Sequence, residues 1–150
     1  MTPGQRLRRI ANALNLSTPL GLLLARAAGA RCSPGPRGLT IAAGYRWGLP
    51  HAPAFTVGNV VLYRAGTASA GQDPVLLGHE ERHCTQYAWC LGLPFLALYS
   101  LCAGWSVLRT GNPGTANFFE RQAGLAAGGY PDRQRNGQRN RSGTTNRGMT

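Results

Sequence analysis

The chain has 150 residues, 43% of them hydrophobic, with 21 Gly, 10 Pro and 4 Cys. That apolar share excludes a wholly disordered chain, and one domain of this length buries roughly 70% of its unfolded surface. The formal charge of +11 comes from 16 basic residues, all arginine, against 5 acids; an all-arginine set marks GC-rich coding, so charge alone does not imply a nucleic-acid partner. The cysteines (Cys32, Cys84, Cys90, Cys102) form no C-x-x-C pair, and three of them sit in apolar, helical-looking sequence, which reads as reduced thiols in a cytoplasmic protein.

In chain order, Leu7, Ile10, Ala11 and Leu14 recur at helical spacing, the stripe of an amphipathic helix. Ser17-Thr18-Pro19 then restarts the chain as a hydroxyl N-cap with Pro at the first helical position, opening a second helix that Gly29 closes. Arg26 interrupts the apolar run, so two helices account for this region better than a secretory signal. Residues 31–38 read as loop. Two strand-like runs follow, Leu39 to Trp47 and Phe55 to Tyr63, and the proline-containing turn between them predicts an antiparallel, hairpin-like pair.

Asp73-Pro74 marks a helix start, with the carboxylate capping free N–H groups and Pro at the first turn. This helix is expected to reach about Leu91, where Gly92 and Pro94 end it. Pro94 begins another apolar helix to about Leu108, and a last helix runs from about Ala116 to Ala127 before Gly128-Gly129. Beyond Pro131 the chain is polar and arginine-rich, without apolar periodicity, and is expected to be disordered.

The Asp73-capped helix carries His79-Glu80-Glu81-Arg82-His83, an H-E-x-x-H motif. Four-residue spacing puts both imidazoles on one face, one turn apart and close enough to share a metal, while Glu80 reaches a water at that metal. Catalytic zinc sites commonly take a third protein ligand. His51 lies in a proline-flanked turn, Asp73 is needed as a cap, and Asp132 heads the tail; Glu120 remains. It projects from a stripe of small residues, Ala116, Ala123 or Gly124, and Ala127, a face that lets two helices approach closely. A lone carboxylate buried there costs several kcal/mol, which a metal on the facing helix would offset.

His79-Glu80-x-x-His83, with Gln86 three residues on and Glu120 within Asn117-Phe118-Phe119-Glu120-Arg121-Gln122-Ala123, resembles the gluzincin clan of zinc metallopeptidases. It looks closest to short minigluzincin-like bacterial members, in which H-E-x-x-H-x-x-Q precedes N-P-x-E-x-x-A; Phe118 stands where that segment has Pro. Gly58-Asn59-Val60-Val61 fits the strand position, and the resemblance covers about residues 55–130. It implies Zn²⁺ held by His79, His83 and Glu120, Glu80 as general base, and a peptide or protein substrate held along an edge strand, with Asn59 hydrogen-bonding its backbone. The fold expected is α+β and mainly helical, a minimal zincin-like arrangement with a small antiparallel sheet beside the His79 helix.

By this reading residues 1–30 form N-terminal amphipathic helices, 31–130 a zincin-like metal-binding domain and 131–150 the tail. Glu81 and Arg82 are expected to be solvated charges, and Tyr87, Trp89, Phe95, Tyr99 and Trp105 to serve packing, with Tyr130 a minor candidate for oxyanion assistance. The charge-free run Leu91 to Leu108 is long enough to raise a membrane span. A span would put Glu120 across the bilayer from His79 and His83, so zinc and span exclude each other. Three competing functions stand beside a peptidase: a structural zinc site, peripheral membrane contact through the basic N-terminus, and weak sequence-neutral nucleic-acid binding by Arg133, Arg135, Arg139, Arg141 and Arg147.

Overall fold

The computed structural model describes residues 1–48, 50, 52–67 and 73–130; His51, Asp132 and the tail read as disordered lie outside the described residues. The fold is α+β: helices α1 (Pro3–Leu14), α2 (Ser17–Ala27), α3 (Pro74–Trp89), α4 (Pro94–Thr110) and α5 (Phe118–Ala123) surround strands β1 (Arg31–Pro34), β2 (Thr40–Tyr45), β3 (Ala54–Val57) and β4 (Val60–Arg64).

The sheet is mixed, in the order β1-β2-β4-β3, which corrects the expected antiparallel pair. The run from Phe55 to Tyr63 is not one strand. It folds at Gly58-Asn59 into a tight hairpin, pairing Val57 with Val60, and β4 then runs parallel to β2. Gly58 has φ 63°, and a Cβ there would lie 2.3 Å from the Thr18 nitrogen, so the turn needs glycine for both conformation and space. Arg31–Pro34, read as loop, is the outer strand β1, antiparallel to β2. The central strand β4 is buried on both faces: Val60 and Leu62 enter one cluster with Tyr87 and Phe95, and Val61 and Tyr63 enter another with Leu77 and Cys84. A strand covered on both sides reads as a continuous apolar run, as Val60 to Tyr63 does.

Asp73 caps α3 as expected, its carboxylate accepting from the Val75 and Leu76 N–H groups at 2.8 and 3.2 Å. At the start of α2 the cap differs from expectation. Ser17 is already helical behind Leu16 at φ 65°, its hydroxyl bonds the Asn12 carbonyl, and Thr18 Oγ1 accepts from the Asn59 N–H.

Helix α1 is turned over relative to its periodicity. Leu7, Ile10 and Leu14 are exposed, and the buried residues are Arg8 and Asn12. Polar bonds made far along the chain explain this. The Arg8 guanidinium donates to Asn59 Oδ1 (3.2 Å), Glu81 Oε1 (2.7 Å) and the Arg37 carbonyl (2.9 Å), and Asn12 donates to the Cys84 carbonyl (2.8 Å). A guanidinium held by a carboxylate and two further acceptors tolerates burial that an unpaired one does not. Glu81 is therefore clamped by Arg8 and Arg37 rather than solvated. Replacing Arg8 by Ala should cost about 3 kcal/mol, because Asn59 Oδ1 and part of Glu81 lose their buried partner; urea denaturation measures it, and a loss under about 1 kcal/mol would mean that α1 is held by other contacts.

Candidate metal centre

Two helices build the centre. Helix α3 places His79 and His83 one turn apart, and α5 packs across it to bring in Glu120. The Asn117 side chain caps α5 by accepting from the Phe119 N–H at 3.0 Å, orienting the helix from its first turn. The expected helix to Ala127 ends early, at Ala123, because Gly124 leaves the helical region at φ 98°.

That early end has a chemical use. A helix leaves its last carbonyls without helical partners; here that of Ala123 lies 3.3 Å from His79 Nδ1 and accepts from Arg82, and that of Gly124, which also accepts from the Ala127 and Gly128 N–H groups, lies 3.2 Å from the same nitrogen. Arg82 is thus tied to α5 and not merely solvated. Backbone carbonyls only accept, so in the neutral ring His79 Nδ1 carries the proton and Nε2 the free lone pair. Gln86 assigns His83 in the same way. Its amide nitrogen donates to the Phe119 carbonyl (3.0 Å) and Gln122 Oε1 (2.8 Å), so its Oε1 is the atom facing His83 Nδ1 at 2.7 Å. His83 Nε2 is then also unprotonated.

The two Nε2 atoms lie 3.0 Å apart, and Glu120 oxygens approach them at 3.2 Å (His79) and 3.5 Å (His83). Glu120 Oε2 is buried without a hydrogen-bond donor. Three lone-pair acceptors therefore converge on one point in the interior, an arrangement that repels itself unless a cation sits among them. The proton preferences show the same demand: burial lowers the His79 pKa, but the Glu120 hydrogen bond and the Glu80 and Glu120 charges more than offset this and raise it.

The separations fit a metal. Three N/O ligands held about 2.0–2.1 Å from one ion at tetrahedral angles stand ~3.3 Å apart. Among the described residues His79, His83 and Glu120 form the one group whose donor atoms, all within 4.8 Å of one another, are able to hold an ion, and all three are buried. Glu120 is anchored by Tyr99, whose hydroxyl donates to Oε1 at 2.5 Å. Tyr99, expected to serve packing alone, holds Glu120 of the candidate centre; Phe95 and Tyr87 do pack, in tilted contact at 4.4 Å between ring centroids.

Glu80 is buried beside the cluster, and its Oε2 accepts from Thr56 Oγ1 at 2.6 Å. Burial pushes its pKa above the ordinary carboxylate value, opposed by the His83 charge and the Thr56 bond. Asn59 is not brought to the site. Only 2% exposed, it spends its side chain on Arg8 and the Gly38 carbonyl (2.6 Å), a tie between α1 and the chain before β2. Gly128 closes the cluster from the far side: a Cβ there would lie 2.6 Å from His79 Cε1, 2.9 Å from Nε2 and 3.3 Å from Glu120 Oε2.

Because Gln86 sets the His83 tautomer, Gln86→Leu should weaken metal binding about 10–100-fold with the fold retained; competition against a chromogenic chelator measures this, and unchanged affinity would show that the tautomer is set elsewhere. Comparison of the chain with protein-family models, with curated proteins and with solved structures finds no match, so the chemistry of the site rests on its own atoms.

Proposed function

We propose that this chain is a zinc-dependent metallopeptidase of gluzincin type that hydrolyses peptide bonds. The observation that carries the reading is the convergence of His79 Nε2, His83 Nε2 and a Glu120 oxygen beside a separately held carboxylate, Glu80. Two imidazoles and one carboxylate are a borderline donor set that suits zinc, and catalytic zinc commonly keeps three protein ligands. When bound, zinc would supply Lewis acidity, making a neighbouring water more acidic and polarising a carbonyl.

The rest of the chemistry falls to the chain. Glu80, held by Thr56, takes the proton of the attacking water and passes it to the leaving amine, a task favoured by a carboxylate whose pKa burial raises above the ordinary value. Thr56 belongs to β3, an edge strand of the described sheet that α2 and α3 cover, so in this reading an extended peptide pairs with it alongside Glu80 only once that cover moves. Tyr99 keeps Glu120 in place throughout.

Burial favours a second reading. His79, Glu80 and Glu120 are each 3% exposed and His83 7%, and Gly128 covers the ring of His79, the enclosure expected of a structural metal site. A peptide reaches Glu80 only when the covering chain moves. Glu80→Gln separates the two readings, since it removes a proton acceptor and no ligand. For a peptidase it should keep one zinc and the melting temperature while hydrolysis of a peptide library falls about 10²–10⁴-fold. For a structural site the wild type cleaves nothing, and chelation lowers the melting temperature sharply because binding energy is folding energy. Wild type that holds no metal after zinc-replete expression would overturn both.

A further inference from the structure

The outer side of α4 has no protein partner. With about 100° between successive residues of a helix, its exposed positions run from Leu96 through Leu93, Leu108 and Leu101 to Trp105 and Leu98, an arc of roughly 200°. No charged side chain falls within that arc; Arg109 borders it, with its guanidinium 5.5 Å from the Trp105 ring centroid. The arc continues onto the N-terminal helices. Gly92, between α3 and α4, packs so closely on Asn15, between α1 and α2, that a Cβ would lie 2.7 Å from Asn15 Cγ. Exposed Leu14 and Leu16 therefore share one junction with exposed Leu91 and Leu93.

We propose that this continuous face docks on an anionic lipid bilayer, with the α4 side chains entering the acyl boundary and arginines engaging the headgroups. Two observations select this occupant. A helix that packs on one protein surface needs an apolar stripe of about 100°, whereas an arc twice as wide suits a fluid medium that closes around it. Charge selects anionic lipid. Among the described residues every carboxylate is engaged internally: Asp73 caps α3, Glu81 is clamped by Arg8 and Arg37, and Glu80 and Glu120 are buried. The exposed Arg6, Arg9, Arg26 and Arg109, carried by the same helices that present the apolar face, are left to attract negative headgroups.

The helix lies on the surface and does not cross. No single described helix is long and apolar enough to span a membrane; α3 and α4 reach that length and apolarity only as a pair bent by 119°, and a crossing pair would carry the buried His79, Glu80 and His83 of α3 into the bilayer. The inner side of α4 rests Phe95 against His83 and Tyr99 on Glu120, so docking holds the metal centre next to the bilayer. The inference stands independently of the metallopeptidase reading.

The test is co-sedimentation of the full chain with vesicles of phosphatidylcholine alone or mixed equally with phosphatidylglycerol, beside Leu101→Glu/Trp105→Glu, two exposed positions whose change leaves the core intact. The expected result is binding to the mixed vesicles, with partitioning at least about tenfold weaker for the double variant. Fluorescence quenching by brominated lipid should also occur in the wild type and shrink in Trp105→Phe, a readout that holds even if the double variant misfolds. Absence of binding to mixed vesicles would overturn the proposal. So would undiminished binding by the folded double variant, which would mean attraction by charge alone. A concentration-dependent dimer that the double variant abolishes, with no vesicle binding, would overturn it in favour of a second copy of the chain.

Discussion

Three unprotonated acceptor atoms meeting in a space from which water is largely excluded are the constraint around which the helical part of the molecule is arranged. As neutral rings the imidazoles do not relieve the conflict, because in each the single proton sits on Nδ1, directed in His79 at the Ala123 and Gly124 carbonyls and in His83 at Gln86. The carboxylate does not relieve it either, since Tyr99 satisfies only one of its oxygens. Only positive charge does, and the separations of the three donor atoms leave room for a metal ion among them.

The supporting structure follows from the need to keep those atoms in place. Helix α5 is six residues long and would not form alone. It is capped by Asn117 at one end, pinned through Phe119 in the core, and stopped at Gly124 so that its last carbonyls face α3 instead of continuing a helix. Helix α3 is fixed in turn by the sheet through Leu77, Cys84 and Tyr87, and by α1 through Arg8 and Asn12. Burial pushes the Cys84 thiol up to about 12, so it acts here as a small apolar side chain with no reactive role.

Local signals in the chain were legible. Asp73-Pro74 caps, H-E-x-x-H spacing, and a single acid on a small-residue face each act within one or two helical turns, and the structure brings His79, His83 and Glu120 together as that reasoning expects. What escaped depends on partners distant in sequence. The apolar stripe of α1 faces outward because Arg8 finds Glu81 and Asn59, 73 and 51 residues away. The parallel pairing of β2 with β4 was hidden by reading 55–63 as one strand, although Gly58-Asn59 between two β-branched runs is itself a hairpin signal. Gln86 was legible as the last residue of H-E-x-x-H-x-x-Q, though not its hold on His83 Nδ1, whereas Thr56 and Tyr99 each touch the site through a single hydroxyl and nothing in their immediate sequence distinguishes them from packing residues. Asn59, guessed as a substrate contact from its strand position, turned out to be consumed by α1 and the Gly38 carbonyl.

The central claim is that a metal, and not a shared proton, occupies the point where the three acceptors meet. X-ray absorption at the zinc edge on the full chain, purified without added chelator, tests it most directly. The expected spectrum shows one zinc per chain with two imidazole nitrogens and oxygen ligands at about 2.0–2.1 Å and no sulfur. A sulfur shell would place the metal at the cysteines instead, and a zinc-free protein whose His79 is an imidazolium paired with Glu120 would contradict the account outright.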